Sequence, residues 1–293
     1  MDALKFSEML SDKHITNLKK LKYKYPDDFE EFINILKSSF YEKLPLNDFD
    51  GKNLVYLTSC TGVNLEAVKL LFTAQNSVYA ANAVEEEIVA TSAIESIDFD
   101  RSSVRSIMLG NAPKDNQENR IYGLKLGFEF ISDRHNHITE ENIHKLYMMA
   151  IGNFLEGDDR LRDGEFYRHD DVYVVGGDGV VHRGIGSGKL PGYMKQFVDF
   201  ANADDGINDL LKAAMLHFDI AYLHPYFDGN GRMARLLHMW FLIQKGYEST
   251  LFVPMSSYIE KSRGKYYDAY TLVENNARLA GVTDVTPFLI YFI

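Results

Sequence analysis

The sequence predicts an all-α protein that carries one small β-hairpin. Apolar residues recur every three or four positions over long stretches, which is the spacing of amphipathic helices. Segment 172–181 differs, because it joins two valine-rich runs through the turn Gly176-Gly177-Asp178-Gly179, as a hairpin does. The length of 293 residues predicts one large domain or two modest ones.

The composition is that of an ordinary globular protein and argues against several classes. Hydrophobic residues make up 46% and charged residues 25%, which excludes disorder of the whole chain. The 31 basic and 42 acidic residues give a net charge of −11, whereas a nucleic-acid clamp needs excess positive charge. The longest apolar runs, 239–243 and 287–293, are too short to cross a bilayer. The single Cys60 cannot form an internal disulfide, so a reducing cytoplasm is the predicted location.

Helical periodicity covers the chain in separate stretches. The first 52 residues contain helical-looking stretches such as 29–44, and a polar turn follows at 46–52. Further helical stretches are predicted at 64–94, 119–130, 140–155 and 191–201. Thr139 has the position and chemistry of an N-cap, and Pro191 suits the first turn of a helix.

The segment most informative about function is a polar loop between two apolar helices. The first helix must end near His224, because Pro225 disfavours helical geometry in the residue before it. The second helix is very apolar over 236–243. A polar, glycine-containing loop between two core helices is costly to bury unless it binds something.

Four residues of this loop suit the binding of phosphate groups. Gly229 and Gly231 let the backbone approach a ligand closely and turn several N–H groups in one direction. These groups lie at the start of a helix, where the helix dipole favours an anion. Arg232 and Arg235 are three positions apart on one helix face, so two guanidinium groups can grip phosphate oxygens.

Two further residues of the loop supply a metal ligand and a base. Asp228 offers carboxylate oxygens that suit Mg²⁺ bound to a polyphosphate. His224 is the one nearby side chain that takes up a proton near neutral pH. The simpler alternative is a structural loop in which Asp and Arg side chains pair and His224 caps a helix. That alternative explains any one of these residues, but not all of them together within 224–235.

Residues 224–235 resemble the signature of Fic domains, H-x-F-x-[D/E]-G-N-G-R-x-x-R. Every defined position matches except one, where Tyr226 replaces the usual Phe. The related Doc kinases usually lack this complete Gly-Asn-Gly-Arg form, so the match favours nucleotidyl transfer. The resemblance implies the helical Fic fold with a small β-hairpin flap, in which the signature loop lies between two central helices.

The resemblance extends roughly from Asn53 to the end of the chain. Residues 168–177 are similar to the family's flap, which docks the target segment and here includes Val175, Gly176 and Gly177. The ATP- and phosphate-binding residues that the resemblance implies are Gly229, Asn230, Gly231, Arg232, Arg235, Tyr266, Tyr267 and Asn275. For the last three, ordinary helix packing is the alternative.

Residues 91–96 resemble the inhibitory motif [S/T]-x-x-x-E-[G/N], and Ser96 departs from its last position. The segment 83–94 reads as a helix with Glu95 at its end. In the family the inhibitory Glu engages the second signature arginine, here Arg235. A paired Arg235 cannot also grip the γ-phosphate, so ATP would bind in a non-productive pose.

The resemblance implies a protein adenylyltransferase. His224 would deprotonate a Ser, Thr or Tyr hydroxyl of a target protein, which then attacks the α-phosphate of ATP, and pyrophosphate leaves with Mg²⁺. The chain would divide into an amino-terminal helical segment of unknown role (1–52), a helical region with the inhibitory motif (53–118) and the catalytic core (119–293). An unidentified target protein is the expected partner, and Fic relatives often self-associate.

The sequence leaves other functions open for the same site. The site could remove AMP from a modified protein, or transfer another nucleotide or phosphoryl-linked group. A nucleotide-binding regulator without turnover, locked by Glu95, is a non-enzymatic alternative. The chain ends within the apolar run 287–293, which leaves open whether the natural protein continues past Ile293.

Overall fold

The computed structural model describes residues 1–63, 77–176 and 179–293. Within these residues the helices and strands are, in chain order, α1 (Ala3–Leu10), α2 (Leu18–Lys24), α3 (Phe29–Ser39), β1 (Tyr41–Asn47), β2 (Asn53–Leu57), α4 (Ser77–Ile94), α5 (Arg101–Met108), α6 (Asn116–Ser132), α7 (Glu140–Ala150), β3 (Tyr173–Gly176), β4 (Gly179–Arg183), α8 (Leu190–Asn202), α9 (Asp209–Leu223), α10 (Asn230–Gln244), α11 (Met255–Lys261), α12 (Arg263–Ala280) and α13 (Thr286–Phe292). Among these helices, none combines the length and the apolarity that crossing a lipid bilayer requires.

The chain divides into two compact units. The first unit is Met1–Val63 together with Gly264–Ile293, and the second is Asn64–Arg263. These are units of packing, whereas the predicted division into 1–52, 53–118 and 119–293 is a division by role. That division stays a prediction.

The first unit packs α1, α2 and α3 around an apolar core that includes the buried Leu21, Phe32 and Leu36. A buried side chain from α12 fastens the start of α2. The amide of Asn276 accepts a hydrogen bond from the Leu18 N–H and donates one to the carbonyl of Thr16, both at 3.0 Å. The carboxyl-terminal part of this unit thus adds polar contacts to the start of α2.

The helix predicted at 29–44 is too long, because α3 ends at Ser39 and Tyr41–Asn47 forms strand β1. Leu44 and Leu46 are buried on either side of the exposed Pro45, which is the two-residue period of a strand. β1 pairs antiparallel with β2, and this second hairpin was not predicted. The polar turn at 46–52 is confirmed, since the Asp48 carboxylate accepts the backbone N–H groups of Asp50 and Lys52.

The second unit is built around α9 and α10, whose side chains are buried on almost every face. Helices that are apolar all round lie at the centre of a domain. The predicted N-cap at Thr139 is confirmed by a 3.2 Å hydrogen bond from the Asn142 N–H to its hydroxyl. The helix predicted at 140–155 ends earlier, at Ala150, and gives way to a 3₁₀ turn at Gly152–Phe154.

The predicted hairpin at 172–181 is also confirmed. Strands β3 and β4 pair antiparallel, with Tyr173 opposite Arg183 and Val174 opposite His182. Gly177 and Asp178 at its turn lie outside the described residues. Helices therefore dominate both units, each with one small hairpin, and the predicted fold class is confirmed.

Candidate active site

The polar loop joins the two central helices through two left-handed residues. α9 ends at Leu223, and its C-cap His224 has φ 54° and ψ 60°. α10 begins at Asn230 after the N-cap Gly229, whose φ is 86°. A Cβ at Gly229 would lie 2.7 Å from Ile151 Cγ2, so both its conformation and its surroundings require glycine.

Asn230 and Tyr226 close the loop on itself. The Asn230 amide accepts the Tyr226 N–H at 3.0 Å and donates to the Tyr226 carbonyl at 2.8 Å. The Tyr226 ring stacks on Tyr147, with centroids 3.6 Å apart. Its hydroxyl is buried and has no hydrogen-bond partner among the described residues. Tyr226 therefore fills the slot of the usual Phe, but at the cost of an unsatisfied polar group.

His224 is held as a neutral imidazole. Burial, the largest cause, lowers the pKa of His224 to about 4, and the positive charge of Arg168 acts in the same direction. Nδ1 lies 3.1 Å from the Ala221 carbonyl oxygen, so Nδ1 carries the proton and donates it to that oxygen. Nε2 is left as the acceptor, which is the tautomer that a general base needs.

Asp228 and Arg232 lie together at the start of α10. The Asp228 carboxylate accepts the Gly229 N–H at 2.5 Å and Arg232 Nη2 at 3.0 Å. The Asp228 side chain is nevertheless 46% exposed, whereas that of Arg232 is 6% exposed. Arg232 Nε is buried and has no partner among the described residues. The pair thus offers an accessible carboxylate beside a buried donor.

Arg235 is buried against α4 and forms the contact predicted with Glu95. Its Nη2 donates to Glu95 Oε1 at 2.6 Å, while Nε donates to the Thr91 hydroxyl at 2.6 Å. The same Glu95 oxygen lies over Gly231, where a Cβ would collide with it. A carboxylate therefore occupies the anion-binding position at the start of α10.

Three consecutive glutamates fasten α4 to the rest of the second unit. Glu87 is fully buried, burial raises its pKa, and its carboxylate accepts the Ser256 N–H at 2.8 Å. The two preceding residues form ion pairs with α5, and these pairs are Glu85–Arg105 and Glu86–Arg101. The helix that presents Glu95 is thus held by Glu87 near its middle and by the contacts of Thr91 and Glu95 with Arg235 near its end.

Ser96 ends this helix in a conformation that suits glycine or asparagine. Its φ is 61°, and within 1–63, 77–176 and 179–293 only His224 is another non-glycine residue with a positive φ. The Ile97 N–H donates to the Ser92 carbonyl and the Ser96 N–H to the Ala93 carbonyl, which is the Schellman pattern. The family's Gly or Asn at this position therefore has a physical reason.

Replacing Ser96 with Gly should stabilise the protein by about 1 kcal/mol, because a left-handed backbone costs an L-residue about 1–2 kcal/mol. Thermal unfolding followed by circular dichroism measures the change. Ser92→Gly is the matched control, and it should destabilise since Ser92 lies inside the helix and is buried. A lower melting temperature for Ser96→Gly would contradict the strain argument.

Three other predicted site residues belong to the first unit. Tyr266, Tyr267 and Asn275 lie on α12 in the first unit. Tyr266 is buried, with its hydroxyl 3.2 Å from that of Tyr270, while Tyr267 and Asn275 are exposed. Their contact with a nucleotide stays a prediction.

The residues predicted for the flap are only partly described. Val175 and Gly176 belong to β3, and Gly177 lies outside the described residues. Their docking of a target segment stays a prediction.

Sequence reasoning gave no role to Arg168, Tyr147 or the main chain of Thr91. Arg168 was recognised only as the start of the flap, although a buried arginine is uncommon. Thr91 Oγ1 and its carbonyl both accept from Arg235, so the first position of the inhibitory motif binds the arginine directly. A Thr one helical turn before the Glu is the signal that points to this contact.

One part of the chain is similar to a known protein family. Residues 137–242 match the sequence profile of the Fic/DOC family. The match includes the flap strands, α9 and most of α10, which are the elements that surround His224.

Two of the similar relatives are proteins named protein adenylyltransferase Fic. The one from Drosophila willistoni is 29% identical over 194 residues, which cover 64% of this chain and 34% of the relative. The one from Culex quinquefasciatus is 29% identical over 195 residues, with the same coverage. The chain thus matches about a third of the length of these curated relatives.

Solved structures share the Fic fold. A Fic family protein from Desulfovibrio desulfuricans G20 has a TM-score of 0.63 and 19% identity, covering 78% of this chain and 68% of that one. A Fic domain containing signaling protein from Bacteroides thetaiotaomicron VPI-5482 has a TM-score of 0.52 and 20% identity, covering 80% and 92%. At these identities the likeness shows the fold.

Proposed function

We propose that the protein is an adenylyltransferase that moves AMP from ATP to a Ser, Thr or Tyr hydroxyl of a target protein. The observation that carries the proposal is the loop at the start of α10. It combines a neutral histidine base, an anion-binding helix start and two buried arginines within 224–235. The name shared by the relatives supports the same activity.

In the proposed mechanism, Nε2 of His224 takes the proton of the target hydroxyl. The freed oxygen attacks the α-phosphorus of ATP, the bond to the bridging oxygen breaks, and pyrophosphate leaves. The Ala221 carbonyl keeps the imidazole in the required tautomer. Such a displacement depends on positioning and on stabilising the phosphate charge rather than on covalent help from the protein.

The phosphate charge would be met by the first turn of α10. The N–H groups of a first turn have no partner inside their helix, and Gly229 supplies no side-chain cap. The unpartnered Nε of Arg232 is a further donor for a phosphate oxygen. The Asn230 side chain already forms two hydrogen bonds within the loop. Asn230 would therefore bind phosphate through its backbone N–H.

Asp228 fits the role of a magnesium ligand. Mg²⁺ in nucleotide sites is held by one or two carboxylates together with phosphates, and Asp228 is a half-exposed carboxylate at the anion-binding helix start. Among the described residues, no group of three or more His, Cys, Asp or Glu side chains could hold a metal by itself. Bound there, Mg²⁺ would neutralise charge on the polyphosphate.

Glu95 is proposed as the internal brake of this reaction. Its carboxylate binds Arg235 and lies over Gly231, where a phosphate would have to bind. While the carboxylate remains there, the triphosphate cannot bind fully to the start of α10 or to Arg235. Self-association and a cytoplasmic location stay proposals drawn from the sequence.

Incubation with differently labelled ATP tests the proposed activity. The Glu95→Gly variant is incubated with Mg²⁺ and ATP labelled on either the α- or the γ-phosphate, and then denatured. We expect α-label, and no γ-label, to stay on the protein. Covalent γ-label would mean phosphoryl transfer, and nucleotide that is released on denaturation would mean a binding module.

Asp228→Ala and a chelator should both abolish labelling, because each removes the metal from the polyphosphate. Asp228→Asn is the matched variant. Its amide oxygen can still accept the Gly229 N–H but lacks the charge, so it should fail as well. Full labelling in the presence of chelator would show that Asp228 only shapes the loop.

A further inference from the structure

Arg168 is a buried cation at the base of the β3–β4 hairpin. Its side chain is 2% exposed, and burial lowers its pKa. Among the described residues its guanidinium is met by carbonyl oxygens and forms no ion pair with a carboxylate. A cation buried in this way is costly unless its donors are satisfied, and main-chain carbonyls satisfy the donors of Arg168.

The guanidinium bridges the catalytic loop and both ends of the hairpin. Nε donates to the His224 carbonyl at 2.7 Å, and Nη1 donates to the Asp170 carbonyl at 2.6 Å. Nη2 donates to the carbonyl of Ile185. Asp170 precedes β3 and Ile185 follows β4. One planar side chain therefore holds the segments on either side of the hairpin against the main chain of His224.

The main chain of Arg168 adds a fourth hydrogen bond. Its N–H donates to the Pro225 carbonyl at 2.9 Å. Arg168 therefore binds two successive carbonyls, those of His224 and Pro225, and fixes the orientation of the peptide groups that follow His224. These are the groups that direct the chain out of α9 and into the loop.

The left-handed backbone of His224 needs such support. A non-glycine residue in this conformation is strained by about 1–3 kcal/mol and persists only where its surroundings determine it. Its N–H is bound by the Ile220 carbonyl at 3.1 Å, which fixes one side of the residue. The two hydrogen bonds from Arg168 fix the other side.

The segment after β4 packs closely against Arg168. A Cβ at Gly184 would lie 2.7 Å from Arg168 Nη2, 2.9 Å from Val172 Cγ1 and 3.0 Å from His224 Cβ. Contacts under 3.0 Å are not tolerated between such atoms. The segment that leaves β4 is thus pressed against both Arg168 and His224, and the Ile185 N–H reaches the Leu223 carbonyl at 3.3 Å.

We propose that Arg168 is a positioning residue that fixes His224 in its left-handed conformation and couples it to the hairpin. The proposal rests on the proposed role of His224 as the base. Arg168 touches no reacting atom in this account; it acts through the carbonyls of His224 and Pro225. Arg168 then fixes the position of the hairpin that would dock the target relative to the histidine that would activate the target's hydroxyl.

Two substitutions separate the geometry from the charge. Arg168→Lys keeps the positive charge but replaces the planar guanidinium with one ammonium group, which cannot reach three carbonyls at once. Arg168→Met removes the charge as well as the guanidinium. The groups that act on the pKa of His224 are Arg168 and His182, which lower it, and the Ala221 carbonyl and Glu95, which raise it. Removal of the cation should therefore raise the pKa of His224.

The experiment measures Arg168→Lys and Arg168→Met in the full chain with Glu95→Gly. We expect both to lower the turnover of AMP transfer by about 10- to 100-fold, as small misplacements of reacting groups do, while the Kd for ATP stays unchanged. Arg134→Met is the matched control, because Arg134 pairs with Glu248 at the surface outside the hairpin and should leave turnover unchanged. Melting curves establish that each variant is folded.

A second readout does not depend on transferase activity. Histidine ring signals are followed by NMR as a function of pH, and the signal lost in His224→Ala identifies His224. Arg168→Met should raise the midpoint of that signal, and Arg168→Lys should leave it close to wild type. If no AMP labelling is found but the NMR midpoints change as expected, the proposed function is rejected and the positioning role is not. An unshifted His224 signal in folded Arg168→Met, or undiminished turnover in both variants, would overturn the positioning role.

Discussion

Replacing His224 with Ala is expected to lower AMP transfer by about 10²- to 10⁴-fold, which is the usual contribution of a general base. ATP binding should be unaffected, because the proposed work of His224 is to take a proton and not to hold the nucleotide. The fold should survive, since Ala removes a ring whose one hydrogen bond within the described residues goes to the Ala221 carbonyl. Initial rates of labelling in the Glu95→Gly background measure the effect.

His135→Ala is the matched control for His224→Ala. The His135 side chain is 96% exposed and pairs with Asp133 on a surface turn, so its loss should leave the rate unchanged. An undiminished rate in His224→Ala would exclude His224 as the base. A rate that falls only in proportion to a weaker affinity for ATP would instead assign His224 to nucleotide binding.

Replacing Glu95 with Gly should raise labelling at least several-fold over the wild-type protein. A hydrogen bond between charged groups is worth about 1.5–3 kcal/mol, and about 1.4 kcal/mol changes an equilibrium constant tenfold. The change also clears the carboxylate from its position over Gly231. The helix start is then open to a phosphate, and Arg235 keeps its two contacts with Thr91.

The Glu95→Gly/Arg235→Ala double variant should lose this gain, because Arg235 is the proposed γ-phosphate ligand. Glu86→Ala is the matched control on the same helix. Glu86 and Arg101 form a largely exposed ion pair, and such pairs contribute little, so labelling should equal that of the wild type. Equal labelling by wild type and Glu95→Gly at saturating ATP and Mg²⁺ would reject a brake at this residue.

The signature loop and the Glu95–Arg235 contact could be predicted because their residues carry recognisable chemistry at fixed spacing. The break at His224 follows from Pro225, and the Glu95–Arg235 contact, 140 residues apart in sequence, followed from two motifs. The role of Ser96 was not predicted. Its departure from the motif was visible, but only its φ explains why Gly or Asn is preferred there.

Other features depend on contacts that have no local sequence signal. Glu87 reaches Ser256 across 169 positions, and neither residue belongs to a motif. The sequence pattern predicts helix over part of β1, because the buried pair of this strand, Leu44 and Leu46, is too short to show a two-residue period. The sequence does not distinguish Arg168 from the other arginines, because the three carbonyls that its guanidinium binds come together only in the folded protein.

The mass of the intact protein after incubation with ATP and Mg²⁺ tests the central claim most directly. Glu95→Gly and Glu95→Gly/His224→Ala are compared under the same conditions. We expect the first protein to gain the mass of one or more AMP groups and the second to gain none. A gain of phosphate in place of AMP, or an equal gain of AMP in both proteins, would contradict adenylyl transfer by His224.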